Sequence, residues 1–479
     1  MNTSRRDFFK TVVIFGVTTG IIGDNRIVCA EAPARSDYEK NRIQPYKKNP
    51  RYWQYKGKPV LLLGGTKDDN LFQLPNLKKH LDLLASVGGN YIRNTMSARN
   101  DKGFEVQAFK KLPNGKYDLN QFNPEYWRRF ENMVKLTNER GIIVQIELWD
   151  RFDHARNHWS ETSPYNPRNN INYTAKESKL KEEIKNHPGS NENRLFYTVP
   201  AHDNNQIVLK YQQVQVDKML SISLQYDNVL YCMDNETSGS PEWGEYWSKF
   251  IKTKAKKLGK NVETTEMWDP WNLSDAKHRH TFDHPETYSF VDISQNNHQK
   301  GQTHWLNAQK QRNRIAKHPR PLNCVKIYGA DTGRFGNDRD GLERFWRNVL
   351  GGMASARFHR PDSGQGLNQN AQAHLKSMRL LTAELDIFNC TPHSNSKLLS
   401  NREANEAYCT YLSGKQYAVY FPNGGSVDLG LTKARSVFTV KWLDIAKSKW
   451  RNPKTIQGGK KITITPPGQG HWAALIIRK

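Results

Sequence analysis

The side chains able to do chemistry in this chain gather just after short apolar runs. Asp234-Asn235-Glu236 closes the run Leu230-Tyr-Cys-Met233, and Glu147, Trp149, Asp150, Arg151, Asp153 and His154 fall at the end of 142–149 and just beyond it. Other runs end in Asp68 and Asp69; Arg93 and Asn94; Glu266, Trp268 and Asp269; Gln295, Asn296, Asn297 and His298. Two more end in Lys326, Tyr328, Asp331 and Arg334, and in Arg357, His359, Arg360 and Asp362. One carboxyl can protonate a leaving oxygen while a second attacks or activates water, which is the requirement of glycosidic-bond hydrolysis. Aromatic faces can stack on sugar rings, amides can hold hydroxyls, and guanidinium groups can grip sulfate or carboxylate. Any one of these residues is explained as well by a helix cap or a local ion pair. The collection is not.

The elements that must position them alternate. Strands are expected over 59–63, 90–94, 142–149, 228–233, 262–267, 288–293, 322–328 and 354–358, and helices over 77–87, 124–140, 206–225, 243–258, 305–316, 341–350 and 369–385. A long polar loop fills about 151–203. Alternation of this kind implies right-handed crossovers and a parallel sheet. Eight units over 31–391 predict an α/β fold of the closed (β/α)8 type, whose chemistry sits at the C-terminal ends of the strands. A doubly wound open sheet is the rival, and Gly64-Gly65 alone is a weak phosphate-turn signal. From 392 to 479 the pattern changes to short strands over 417–420, 426–429, 437–440, 462–464 and 472–477, separated by Pro/Gly turns, so a small all-β sandwich is expected there.

The first thirty residues read as a leader. Ser4-Arg-Arg-Asp-Phe-Phe-Lys10, a short apolar stretch and Val28-Cys29-Ala30 match a twin-arginine export signal, so a periplasmic or secreted location is expected. No run of about 18 apolar residues follows, so stable membrane insertion is not expected. The net charge of the chain is +25. Residues 1–30 carry four cations (Arg5, Arg6, Lys10, Arg26) and two acids (Asp7, Asp24), so their removal takes +2 and leaves +23. Such an excess calls for a polyanionic partner. Export turns that expectation from nucleic acid toward an acidic polysaccharide or oligosaccharide. Of five cysteines, Cys232 and Cys324 read as core residues, and Cys390 and Cys409 could pair after export. The His-rich stretch 278–284 fits no standard metal spacing, and neither a metal nor a cofactor is expected.

A resemblance sharpens these readings. In the large clan of barrel glycosidases the acid/base is a Glu following Asn at the end of the fourth strand, and Leu230-Tyr-Cys-Met-Asp-Asn-Glu-Thr237 resembles that pattern; Arg93 at the second strand also fits. Tyr52-Trp-Gln-Tyr-Lys-Gly-Lys-Pro-Val-Leu-Leu-Leu-Gly-Gly-Thr66 is similar to the opening of the apiosidase-like glycoside hydrolases. Tyr417-Ala-Val-Tyr-Phe-Pro-Asn-Gly-Gly425, Trp450-Arg-Asn-Pro453 and Pro466-Pro-Gly-Gln-Gly-His-Trp472 resemble the β-sandwich that follows the barrel in that family. That sandwich bears a collagen-binding label which nothing in these residues supports. The resemblance implies Glu236 as acid/base. It breaks at the seventh strand, where the usual Glu slot holds Lys326 or Ile327, and this argues against carrying apiose specificity over. Asp331 is the expected second carboxylate, with Glu266 and Asp150 as alternatives. Arg93, Trp149, Asp150, Asn235, Trp268, His298, Lys326, Tyr328, Arg334 and His359 are expected to hold the substrate. Two other functions fit the same residues: a carbohydrate-binding protein without turnover, and a polysaccharide lyase with Tyr328 or His298 as base.

Overall fold

A computed structural model describes residues 35–100, 102–186, 193–331, 335–393 and 398–479. The twin-arginine segment and Cys29 lie outside these residues, as does Arg334. Residues 34–479 cluster as one unit.

Eight strands carry the site: β1 (Leu62–Gly65), β2 (Tyr91–Thr95), β3 (Ile143–Asp150), β4 (Val229–Asn235), β5 (Thr264–Thr265), β6 (Val291–Asp292), β7 (Leu322–Asn323) and β8 (Ser355–Phe358). Each is followed by a helix: α1 (Leu77–Ser86), α2 (Pro124–Glu139), α3 (Gln206–Ser223), α4 (Pro241–Lys257), α5 (Ala276–Asp283), α6 (Gly301–Arg314), α7 (Asp338–Leu350) and α8 (Gln369–Glu384). Six strands form one parallel sheet in the order β5-β4-β3-β2-β1-β8, and β6 pairs with β7 in parallel. Ala354 N–H donates to Leu322 O (2.8 Å), Arg357 N–H to Cys324 O (3.0 Å) and Ile327 N–H to Arg357 O (3.0 Å), which joins β7 to β8. Among the described residues no strand ladder joins β5 to β6. That seam is held instead by Thr264 N–H to Ser289 Oγ (3.1 Å) and Thr264 Oγ1 to Thr287 O (2.7 Å). The arrangement fits a (β/α)8 barrel.

Local chemistry explains the elements. All eight residues of β3 are buried, as expected of a parallel strand covered on both faces. Asn123 caps α2 ahead of a Pro, Ser240 caps α4, and Asn337 with Asp340 forms a capping box on α7. Gly64-Gly65 serves close packing rather than phosphate: a Cβ on Gly64 would stand 1.9 Å from the Tyr91 carbonyl oxygen. The hairpin of Trp53–Tyr55 and Lys58–Val60 reaches the barrel interior, where Trp53 Nε1 donates to Asn323 Oδ1 (2.9 Å).

After the barrel, strands Tyr408–Leu412, Gln416–Phe421, Val437–Asp444 and Trp472–Arg478 lie in a seven-stranded antiparallel sheet, and Leu399–Ser400, Val427–Gly430 and Lys461–Ile464 form a three-stranded one. Leu399, Val427, Leu429 and Ile464 share an apolar cluster with Val419, Phe421, Phe438 and Ile476 of the larger sheet. These strands pack on the last two barrel helices. Tyr420 stacks on Trp346 at 5.2 Å, and Ser377 Oγ donates to Ile445 O (2.7 Å).

Several elements escaped the sequence reading, among them a short helix at Arg35–Asn41 ahead of the barrel. Helix α5 is short and carries little apolar content, and the hairpin Phe109–Lys111/Tyr117–Phe122 lies inside a stretch without clear alternation. Cys390 and Cys409 are buried free thiols, as are Cys232 and Cys324. No described helix is long and apolar enough to cross a membrane.

Candidate active site

Strand β4 hands Glu236 to the barrel mouth in an unusual backbone state. Its φ is +55°, in the left-handed region, which costs a residue with a Cβ about 1–2 kcal/mol. The Glu236 N–H donates to Met267 O (3.0 Å), so the segment after β5 holds it there. Such strain concentrates at functional positions. The Glu236 side chain is buried. Its Oε1 accepts from Lys326 Nζ (2.6 Å) and Gln295 Nε2 (2.8 Å), and its Oε2 lies 3.2 Å from Arg151 Nη2. Lys326 also donates to Asn235 Oδ1 (2.6 Å). Burial pushes the Glu236 carboxyl up, but Lys326 and Arg151 outweigh it and hold the group well below the usual carboxylate range. In this arrangement Glu236 is an anion, whereas a catalytic acid must hold a proton.

A second anion sits three strands round the ring. Asp69, just beyond β1, is ion-paired to Arg93 Nη1, to Arg99 Nη1 (3.0 Å) and to Arg360 Nε (3.3 Å). Burial raises its carboxyl, and the guanidinium groups more than reverse that. Arg93 also grips Glu147 (2.6 and 2.8 Å), and Arg99 grips Asp150 Oδ2 (2.7 Å). His359 Nδ1 is 3.8 Å from Asp69, and burial pushes that imidazole far down, so it is neutral.

Asp69, Glu236 and His359 line one open cleft. Arg99, Arg151, Lys326 and Arg360 line it against Asp69, Glu236 and Asp362, so cations outnumber carboxylates. Phe152 lies between two guanidinium groups, with Arg99 and Arg151 each 4.9 Å from its ring centroid. Tyr328 and Phe335 form the facing aromatic pair at 4.4 Å, with His298 edge-on to Phe335 at 4.6 Å. The Nε atom of Arg151 is buried and has no hydrogen-bond acceptor among the described residues.

The structure brings Asn235, Glu236, Lys326, Tyr328 and His359 together on the cleft wall. Arg93 and Asp150 stand behind it. Arg93 is clamped between Asp69 and Glu147, and Asp150 receives Arg99 and Asn235 Nδ2 (3.3 Å). Other expectations are corrected. Asp331 lines a different cavity with Lys67 and Asp338, and its carboxylate accepts from the Asp338 N–H at the start of α7 while its own N–H donates to Asp338 Oδ1 (3.1 Å each), so the group is engaged there and not in the cleft with Glu236. Glu266 turns away from the cleft toward α4: a Cβ on Gly244 would meet its Oε2 at 2.4 Å. There its Oε1 accepts from the N–H groups of Asp234 and Met267, and burial beside Asp234 raises both carboxyls, Asp234 to about 7. Trp149 and Trp268 offer no sugar platform. Trp149 is buried against Trp243 and Trp247 (5.7 and 5.2 Å), and Trp268 is buried with its Nε1 bonded to Thr281 Oγ1 (2.8 Å). Arg99, Phe152, Phe335 and Ser363 line the cleft without having been singled out in sequence, because they come from loops whose path no periodicity reveals.

No family model matches the sequence, and no curated protein matches it. Solved structures do. A glycoside hydrolase aligns with a TM-score of 0.60 at 10% identity, covering 92% of this chain and 98% of its own. A family 5 glycoside hydrolase from Bacteroides vulgatus aligns with a TM-score of 0.62 at 13% identity, covering 92% and 95%. A maltogenic α-amylase from Thermotoga neapolitana aligns with a TM-score of 0.52 at 9% identity, covering 88% and 99%. At these identities the likeness is one of fold.

Proposed function

We propose that the chain is an exported glycoside hydrolase that cleaves an anionic polysaccharide, with Glu236 as the reacting carboxyl. The observation that carries this reading is the strained Glu236, buried between Lys326 and Arg151 in a cation-rich cleft at the strand ends. The glycoside hydrolase fold of the neighbouring structures supports it. The cations give a reason for an anionic substrate. A sulfate or carboxylate that takes Lys326 and Arg151 as its partners leaves Glu236 to the effect of burial, which pushes a carboxyl up. Glu236 then takes a proton from solvent and delivers it to the leaving oxygen. Asp69, on the same cleft wall and held ionised, is the second carboxylate in this reading, in place of Asp331. Residues 392–479 are read as a β-sandwich module on an apiosidase-like scaffold, with Lys326 marking a separate substrate class. The N-terminal Arg5-Arg6 pair supports export, and replacing both by Lys should retain the protein inside the cell.

The test is product analysis against sulfated and uronate-containing glycans. Reducing ends released by the wild-type chain, and lost in Glu236→Gln while glycan binding persists, are expected. An unsaturated product absorbing in the ultraviolet would assign elimination instead. One observation favours a second reading, a glycan-binding protein without turnover: the seventh-strand position holds Lys326, whose ammonium neutralises Glu236. In that case the wild type binds the glycan and releases nothing.

A further inference from the structure

Outside the cleft, Glu245 of α4 and His280 and His284 of α5 and its C-cap come together. One donor atom from each lies within 4.8 Å of the other two. His280 and His284 are four residues apart and share a helix face, with ring centroids 4.0 Å apart. Glu245 reaches them from the neighbouring helix, with its Oε1 2.7 Å from His280 Nε2. His284 Nδ1 donates to the His280 carbonyl (2.8 Å). That bond fixes the tautomer and leaves Nε2 with its lone pair outward, as in metal-bound histidines whose second nitrogen is held by a backbone carbonyl.

We propose that Glu245, His280 and His284 form a zinc site that clamps α4 to α5 beside the β5/β6 seam. Two imidazoles and a carboxylate are a zinc donor set, with a water completing the tetrahedron. Calcium and magnesium would require oxygen donors. Zinc–ligand bonds near 2.0–2.1 Å set donor separations of about 3.4 Å, and here Glu245 Oε1 and His280 Nε2 are 2.7 Å apart with all three donors inside 4.8 Å, so small side-chain rotations reach that spacing. The location gives the ion a purpose. Among the described residues no strand ladder joins β5 to β6, and α5 is the short helix between them in the chain. The sequence spacing concealed the site because the third donor lies 35 residues before His280 on another element.

Zinc titrated calorimetrically into untagged, chelator-stripped full chain should bind at one equivalent and raise the Tm. His280→Ala and His284→Ala should each weaken binding by at least roughly 100-fold and abolish the Tm rise. Glu245→Gln should weaken it less, and His202→Ala, outside the cluster, should leave it unchanged. Cobalt added to the wild-type chain reads the site without any variant: intense visible bands of a tetrahedral ion are expected. Zinc binding that survives both histidine substitutions, a weak octahedral cobalt spectrum, or no saturable binding would each overturn the proposal.

Discussion

Lys326, three residues beyond β7, contacts Glu236 directly. Removing that ammonium should therefore change Glu236 before it changes anything else. In Lys326→Met the Glu236 carboxyl should rise toward the ordinary range, readable by carboxyl-carbon NMR titration. A carboxyl depressed in the fold adds stability above the unfolded-state value, near pH 4.3, and that stability is lost as pH falls toward the folded value. The variant should thus be less stable than wild type by about 3 kcal/mol at neutral pH, with the gap closing on acidification. Stability equal to wild type at pH 7 would contradict the pairing. Glu236→Gln should lower turnover by about 10²–10⁴-fold if the carboxyl transfers a proton. Asn235-Glu236 was legible in the sequence because it closes an apolar run at the fourth strand. Asp331 misled because distance along the chain says nothing about direction: two residues after Gly329, whose φ is +113°, the chain is already bonded to the start of α7.

At the scale of elements, the layer between β4, β5 and α4 holds Asp234 and Glu266 side by side with burial raising both. A carboxyl raised to about 7 keeps its proton in the fold after the unfolded chain has lost it. Stability should therefore fall as pH rises from roughly 4 to about 7. Glu266→Gln keeps the acceptor for Asp234 and Met267 N–H and removes the Glu266 part of that titration while Asp234 keeps its own, so the Tm of the variant should vary less over that window. An unchanged pH dependence would show that the pair is not protonated as described. At the opposite end of the barrel, Arg379 of α8 donates to Gly88 O (2.7 Å), Leu61 O (3.1 Å) and Asn90 Oδ1 (2.7 Å). Arg379→Ala should lower the Tm and leave kcat unchanged, because this face is remote from the cleft. All eight strands and seven helices were readable from apolar runs and period. Helix α5 was not, since its polar sequence Ala-Lys-His-Arg-His-Thr-Phe-Asp carries only a few apolar positions. Of the expected aromatics Tyr328 lines the cleft, whereas Trp149, the last residue but one of β3, packs on Trp243 and Trp247 of α4, and Trp268, beyond β5, bonds Thr281 of α5.

Across the whole molecule, the +25 of the chain is matched in sign by the cleft, where four cations face three carboxylates. Steering by such a field weakens as the Debye length shrinks from about 10 Å at 0.1 M salt to about 3 Å at 1 M. Activity on an anionic glycan should fall steeply over that range, and a flat salt response would assign the charge another purpose. The C-terminal strands belong to the same unit, with Tyr420 on Trp346 and Ser377 on Ile445. Deleting residues 392–479 uncovers that apolar face, so the truncated chain should aggregate on expression. The central claim is that Glu236 in this cleft breaks glycosidic bonds of an acidic glycan. It is tested most directly by product analysis with wild type and Glu236→Gln on sulfated and uronate-containing glycans. The account predicts reducing ends from the wild type and none above background from the variant, with binding retained in both. Equal release from both proteins, or binding without release by the wild type, would contradict it.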